Sequence, residues 1–115
     1  MDFACKRFNL EDVIRCGLAL SKTDYRILKF LVENGSRFDS RALADKLKID
    51  LSTAQRSLKR LRERKLLIRS QVNLSSGGYN LFYVSIPRIE IHKLLQNTVD
   101  GWVRNVNSEL ASWFS

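Results

Sequence analysis

Six polar side chains crowd the stretch DLSTAQRSLKRLRERK at residues 50–65: Ser52, Thr53, Gln55, Arg56, Lys59 and Arg60. Their chemistry is recognition rather than bond making. The carboxamide of Gln55 offers a donor and an acceptor side by side, which matches an adenine edge. The guanidinium of Arg56 offers two parallel donors, which matches guanine. Lys59 and Arg60 suit phosphate oxygens, whose contacts supply salt-dependent affinity without reading sequence. Ser52 and Thr53 either join them at a base edge or satisfy amides at their own helix start. Arg62 and Arg64 continue the run and are expected to face away.

A helix must carry these groups. Leu51, Ala54, Leu58 and Leu61 recur at spacings of three and four, so they share one face and leave the basic residues on the others. Asp50 precedes the pattern, where a carboxylate accepts from the first free amides. Residues 52–56 then form the leading part of a helix that can enter a groove end-on.

Charge bias follows the same segment. The chain has 115 residues and a formal charge of +8, from 20 Lys and Arg against 12 Asp and Glu. Residues 1–87 hold 17 basic and 9 acidic side chains, whereas residues 88–115 hold three of each. Residues 56–69 alone carry seven basic groups and only Glu63 against them. A solubility charge has no reason to avoid the last quarter; an anionic partner such as double-stranded DNA has.

Other chemistries lack their residues. One histidine, His92, falls in an apolar pattern, and Gly77–Gly78 lacks the longer phosphate-loop motif. Cys5 and Cys16 imply neither a disulfide scaffold nor, with that single histidine, a zinc site. No enzyme activity, cofactor or metal is expected. No apolar run reaches membrane-spanning length and no signal peptide is evident, so a soluble cytoplasmic protein without membrane contact is expected.

The elements around the basic helix read as follows. A short helix begins near Asn9, with Leu10, Val13 and Ile14 on one side and Gly17 as its stop. Ser21 and Asp24 resemble a capping box. The helix after them turns Tyr25, Leu28, Leu31 and Val32 inward, flanked by Ile27, and closes at Asn34–Gly35. Asp39 caps a third helix that buries Ala42, Leu43 and Leu47, with Ala44 permitting close packing. Arg41 on that helix either binds phosphate or pairs with Asp45. After residue 65 the period shortens: Leu66, Ile68, Val72 and Leu74 are in phase on one strand. Ser75–Gly78 make a turn, and Tyr79, Leu81 and Tyr83 share a face of the next strand. Arg69, Gln71, Asn73, Ser75 and Ser76 on this hairpin can approach phosphate or the minor groove.

Pro87 suits the first turn of a last helix. Ile91, Leu94, Leu95, Val99, Trp102, Val106, Leu110, Trp113 and Phe114 then form a nearly continuous apolar stripe. A helix of such length, about 40 Å, exceeds what a small domain covers, so pairing with a second copy is expected; a broken helix folded back on its own core is the alternative. The expected fold class is mainly α with a small β hairpin: a winged helix-turn-helix domain at 1–87 and a C-terminal dimerisation helix at 88–115.

Three stretches carry a resemblance: LSKTDYRILKFLVENG ending at Gly35, RALADKLKIDLSTAQRSLKRLRERKLLIR at 41–69, and GGYNLFYVSIP at 77–87. With the terminal WVRNVNSELASWF at 102–114, they resemble the compact archaeal winged-helix transcriptional regulators related to the TrmB and MarR groups. The resemblance implies recognition-helix contacts at Ser52, Thr53, Gln55, Arg56, Lys59 and Arg60, a wing at 72–79, and a homodimer through 91–114. The resemblance does not extend to the sugar-binding domain of larger TrmB proteins, so their sugar-sensing role is not expected. The expected function is a dimeric, sequence-specific DNA-binding regulator that represses by promoter occupancy. Rival readings are a protein-interaction subunit of the transcription machinery and a weakly selective architectural DNA-binding protein.

Overall fold

The computed structural model describes residues 2–115. Two short strands, β1 (Asp2–Phe3) and β2 (Lys6–Arg7), pair antiparallel ahead of α1 (Leu10–Leu18); the sequence pattern gave no sign of them. Asn9 caps α1 by accepting from the Asp12 amide at 2.8 Å. Gly17 does not stop this helix. It lies inside the last turn, and the left-handed residue that ends it is Ala19 (φ 56°). The glycine serves packing instead: a Cβ there would stand 3.3 Å from Leu95 Cδ2.

The capping box forms as expected at the start of α2 (Lys22–Asn34), and Gly35 ends it at φ 64°. Asp39 has two jobs. Strand β3 (Phe38–Asp39) ends on it, and its carboxylate accepts from the Ala42 amide at 2.7 Å to open α3 (Ser40–Leu47). Lys48 (φ 55°) ends α3, and residues 48–50 make the turn into α4 (Leu51–Glu63). Asp50 occupies the N-cap position of α4, but its side chain makes no capping hydrogen bond; the Asp50 carbonyl accepts from Ala54 instead.

Strands β4 (Leu67–Asn73) and β5 (Tyr79–Ser85) form the wing, joined through Gly77 and Gly78, both at positive φ. The sheet has three strands rather than two, in the order β3-β5-β4, with Phe38 opposite Tyr83 and Leu67 opposite Ser85. A two-residue strand has no periodicity to detect, so β3 exists only because β5 is there to pair with it. The expected phase of β4 is also corrected. Leu66 and Leu67 are both buried, whereas Ile68 is 52% exposed. The chain enters the strand from the core, and beyond Leu67 the hairpin leaves the domain.

The core gathers Leu20, Ile27, Leu28, Leu31, Leu43, Leu58, Leu61, Leu66, Leu67 and Ile86. Each such side chain contributes about 1.5–3 kcal/mol on burial. Ala44 and Ala54, both buried, let α3 and α4 cross closely. The last helix, α5 (Arg88–Phe114), runs unbroken for 27 residues, so the folded-back alternative does not occur. Its first turns belong to the domain: Ile91 packs on the core, and Leu95 and Thr98 lie beside Gly17 of α1. The rest projects, giving a molecule of 70 × 23 × 21 Å.

Candidate nucleic-acid interface

Helix α4 turns Ala54, Ser57, Leu58 and Leu61 inward. That leaves Ser52, Gln55, Arg56 and Lys59 exposed along one outer face, with Thr53 half-buried beside them. The hydrophobic side of the helix therefore fixes which polar groups reach outward.

The wing extends that face. The side of the hairpin carrying Arg69, Leu81 and Tyr83 turns toward α4. Lys59, Arg62, Glu63, Arg69 and Tyr83 line one shallow cleft of about 270 Å³. A second, of about 280 Å³, lies at the leading end of α4 and brings Arg41 together with Gln55, Tyr79 and Asn80. Arg41 makes no ion pair with Asp45 among the described residues, so that alternative is not realised. Asn73 accepts from Gln71 at 3.1 Å near the wing tip, where Ser75 and Ser76 are exposed. Arg62, Tyr79 and Asn80 are additions to the sequence-predicted group. Arg62, expected to face away, follows Lys59 by three residues, a helical neighbour spacing, and lines the same cleft. Tyr79 and Asn80 had no such signal, because their nearness to Gln55 comes from the fold of the wing.

Arg60 has a different place. Its Nη2 donates to Asp24 Oδ1 at 2.9 Å and its Nε to Oδ2 at 3.2 Å. The Ser57 hydroxyl donates to the same carboxylate, and the Ser21 amide reaches it at 3.3 Å. Asp24 is 1% exposed and Ser57 fully buried. The N-cap of α2 is thereby tied to two successive turns of α4, and the guanidinium expected on phosphate is held on Asp24 with its side chain still 40% exposed. Burial pushes the Asp24 carboxyl up, but the hydrogen bonds from Arg60, Ser57 and Ser21 and the Arg60 charge together hold it below the usual carboxylate range. Hydrogen bonding to Asp24 raises Arg60 in turn. Sequence reasoning saw Asp24 only as a capping residue, since nothing local places Ser57 and Arg60 beside it.

The predicted pairing stripe divides in two. Ile91, Leu95 and Val99 are half-buried against the chain's own helices, while Leu94, Trp102, Val106, Leu110, Trp113 and Phe114 are exposed. No metal-ligand cluster occurs among the described residues, and no helix there is long and apolar enough to cross a membrane.

Known proteins share the fold. A MarR-family model matches residues 19–73, from the loop before α2 to the end of β4. A solved structure of a possible transcriptional regulator from Methanosarcina mazei is 40% identical, with a TM-score of 0.92 over 100% of this chain and 97% of that one. The ST1889 protein of Sulfolobus tokodaii is 29% identical, with a TM-score of 0.66 over 89% of this chain and 93% of that one. An uncharacterized protein of Methanocaldococcus jannaschii is 28% identical over 89% of this chain and 76% of its own length. The basic leading helix, the wing and the archaeal relatives agree: the chain belongs to the MarR-like winged-helix transcriptional regulators, a family of DNA-binding proteins rather than enzymes.

Proposed function

We propose that the protein is a homodimeric, sequence-selective double-stranded DNA-binding regulator that represses by occupying promoter DNA. The observation that carries this reading is the exposed row Ser52, Gln55, Arg56 and Lys59 on a helix whose other side is locked into the core. In this reading residues 1–87 are the DNA-binding unit and residues 88–115 the pairing element. The leading end of α4 lies in the major groove, where Gln55 and Arg56 read base edges. Lys59 and Arg62, with Arg69 across the cleft, hold phosphates, and Arg41 grips the backbone from α3. Asn73, Ser75 and Ser76 carry the wing tip to the neighbouring backbone. Arg60 acts through Asp24, keeping α4 at a fixed angle to α2. Two copies related by a two-fold axis present two such helices to two half-sites, and an occupied promoter excludes polymerase.

Selection from a random duplex library at near-physiological salt, followed by footprinting, tests the reading. An enriched, two-fold-related motif and a discrete footprint are expected, both lost when Gln55→Ala is combined with Arg56→Ala. Binding without enrichment, erased as salt rises, overturns sequence selectivity.

A further inference from the structure

An apolar groove opens between α1, α2 and the first turns of α5. Its volume is about 410 Å³, and Leu10, Ile14, Tyr25, Leu28, Ile91 and Leu95 line it. At the other end of α5 the rings of Trp113 and Phe114 sit edge to face at 4.7 Å, with Trp113 77% and Phe114 76% exposed. An unfilled apolar groove and a bare aromatic pair on one small protein are each costly in water. They cannot meet within one chain: the 22 residues from Ile91 to Trp113 in a continuous helix separate them by about 33 Å.

We infer that the groove receives the aromatic tip of a second copy, its α5 running antiparallel to the first. This rests on the dimer reading above and adds its register. One three-four repeat along α5 sets the apolar Leu95, Val99, Trp102, Val106 and Trp113 on a seam with Arg88, His92 and Glu109. Antiparallel pairing centred between Asp100 and Gly101 sets Val99 against the partner's Trp102 and Leu95 against the partner's Val106. The same register sets His92 against the partner's Glu109, an imidazole facing a carboxylate, and Arg88 against the partner's Trp113, a guanidinium beside an indole. Arg88 already lines the groove. The remaining charges of the helix, Glu90, Lys93, Asp100 and Arg104, fall on the opposite side of the repeat and are exposed; Leu94 and, at the helix end beside Trp113, Phe114 lie off the seam with them. Positions flanking the seam carry no charge: Ile89, Gln96, Val103 and Leu110 on one edge, Ile91, Thr98, Asn105 and Ser112 on the other. The exposed stripe beyond Val99 and the groove before it thus form one continuous surface that is its own complement under a two-fold rotation. A parallel pair would instead bring the two tips together and leave both grooves empty.

The test begins from a Cys5→Ser, Cys16→Ser background, both sites being exposed. Leu95→Cys with Val106→Cys in one chain is expected to give a covalent dimer on mild oxidation, and either change alone is not. These positions are 11 residues apart in one helix, about 16 Å and beyond disulfide reach within a chain. Light scattering is read on the same samples. A dimer mass without the double-variant cross-link, or with equal cross-linking by the single variants, overturns the register and leaves the dimer reading standing. A concentration-independent 13.3 kDa monomer overturns both. As a second measurement, Trp113→Ala with Phe114→Ala should raise the dimer dissociation constant about tenfold or more while the helical circular dichroism at high protein concentration is kept. Unchanged dimerisation in that variant overturns the seating of the tip.

Discussion

Asp24 ties the recognition helix α4 to α2, although it is itself almost wholly buried. It accepts from Ser57, Arg60 and Ser21 at once, so truncating it leaves a buried hydroxyl and a half-buried guanidinium unpaired. Asp24→Ala is expected to cost about 2–3 kcal/mol in chemical denaturation at fixed protein concentration, moderated because Arg60 can rehydrate. The carboxyl is held below its usual range when folded, so it stabilises the fold above the unfolded carboxylate range of about pH 4. That contribution is lost as pH falls through the folded value. Asp24→Asn should therefore flatten the acid limb of the stability profile and leave the slope near neutral pH unchanged; an acid limb like that of the unaltered protein would refute the assignment. Gln55 and Arg56 report on a different property. Each bidentate base contact is worth about 1–3 kcal/mol, so Arg56→Ala should weaken cognate binding roughly tenfold or more and relax selectivity at one position. Equal loss on cognate and random DNA would reassign Arg56 to phosphate.

Among the elements, α5 carries one glycine and packs on another in α1, and the two separate packing from propensity. Gly101 lies in the helix interior, and a Cβ there would meet only the end of the Arg104 side chain, at 3.8 Å. Gly101→Ala is expected to raise stability by about 0.5–1 kcal/mol through helix propensity, seen as a higher thermal midpoint at fixed concentration. Gly17 offers the opposite case. Its Cβ would press on Leu95 Cδ2 at 3.3 Å, between two packed helices. Gly17→Ala should therefore gain less than Gly101→Ala or lose stability outright, as overpacking offsets propensity. The reverse ranking would show that α1 and α5 are not closely docked in solution. The wing depends on β5, which lies between β3 and β4 and through Asp39 is joined to the start of α3.

For the whole molecule, charge distribution and shape make a joint prediction. The basic groups cluster on the winged domain, and the long neutral helix extends away from it. Affinity should fall steeply with salt, by about 0.9 log units per log unit of salt for each phosphate neutralised. Lys59→Ala should reduce that slope by about one for each DNA-bound copy, or about two in the dimer, and weaken all sequences alike. A slope unaltered by the change would place Lys59 off the phosphates. Footprints should show half-sites spaced by about one helical turn or a multiple of it.

Local and periodic features were legible in the sequence because their causes are local. The three- and four-residue spacings of α2, α4 and α5 announce helices, and Ser21, Asp39 and Asn9 cap theirs through neighbours three residues away. The glycine pair set the wing turn, and the polar face of α4 followed once its apolar face was known. Asp50 shows the edge of that reasoning, for a residue of the right type at the right position makes no side-chain cap. Tertiary structure alone decided the rest. It paired β3 with β5, put Gly17 to packing rather than termination, and opened a groove between three helices. It also set Arg60 on a carboxylate 36 residues earlier. Each of these depends on residues far apart in the chain, where contact is set by how whole elements pack and no spacing in the sequence records it.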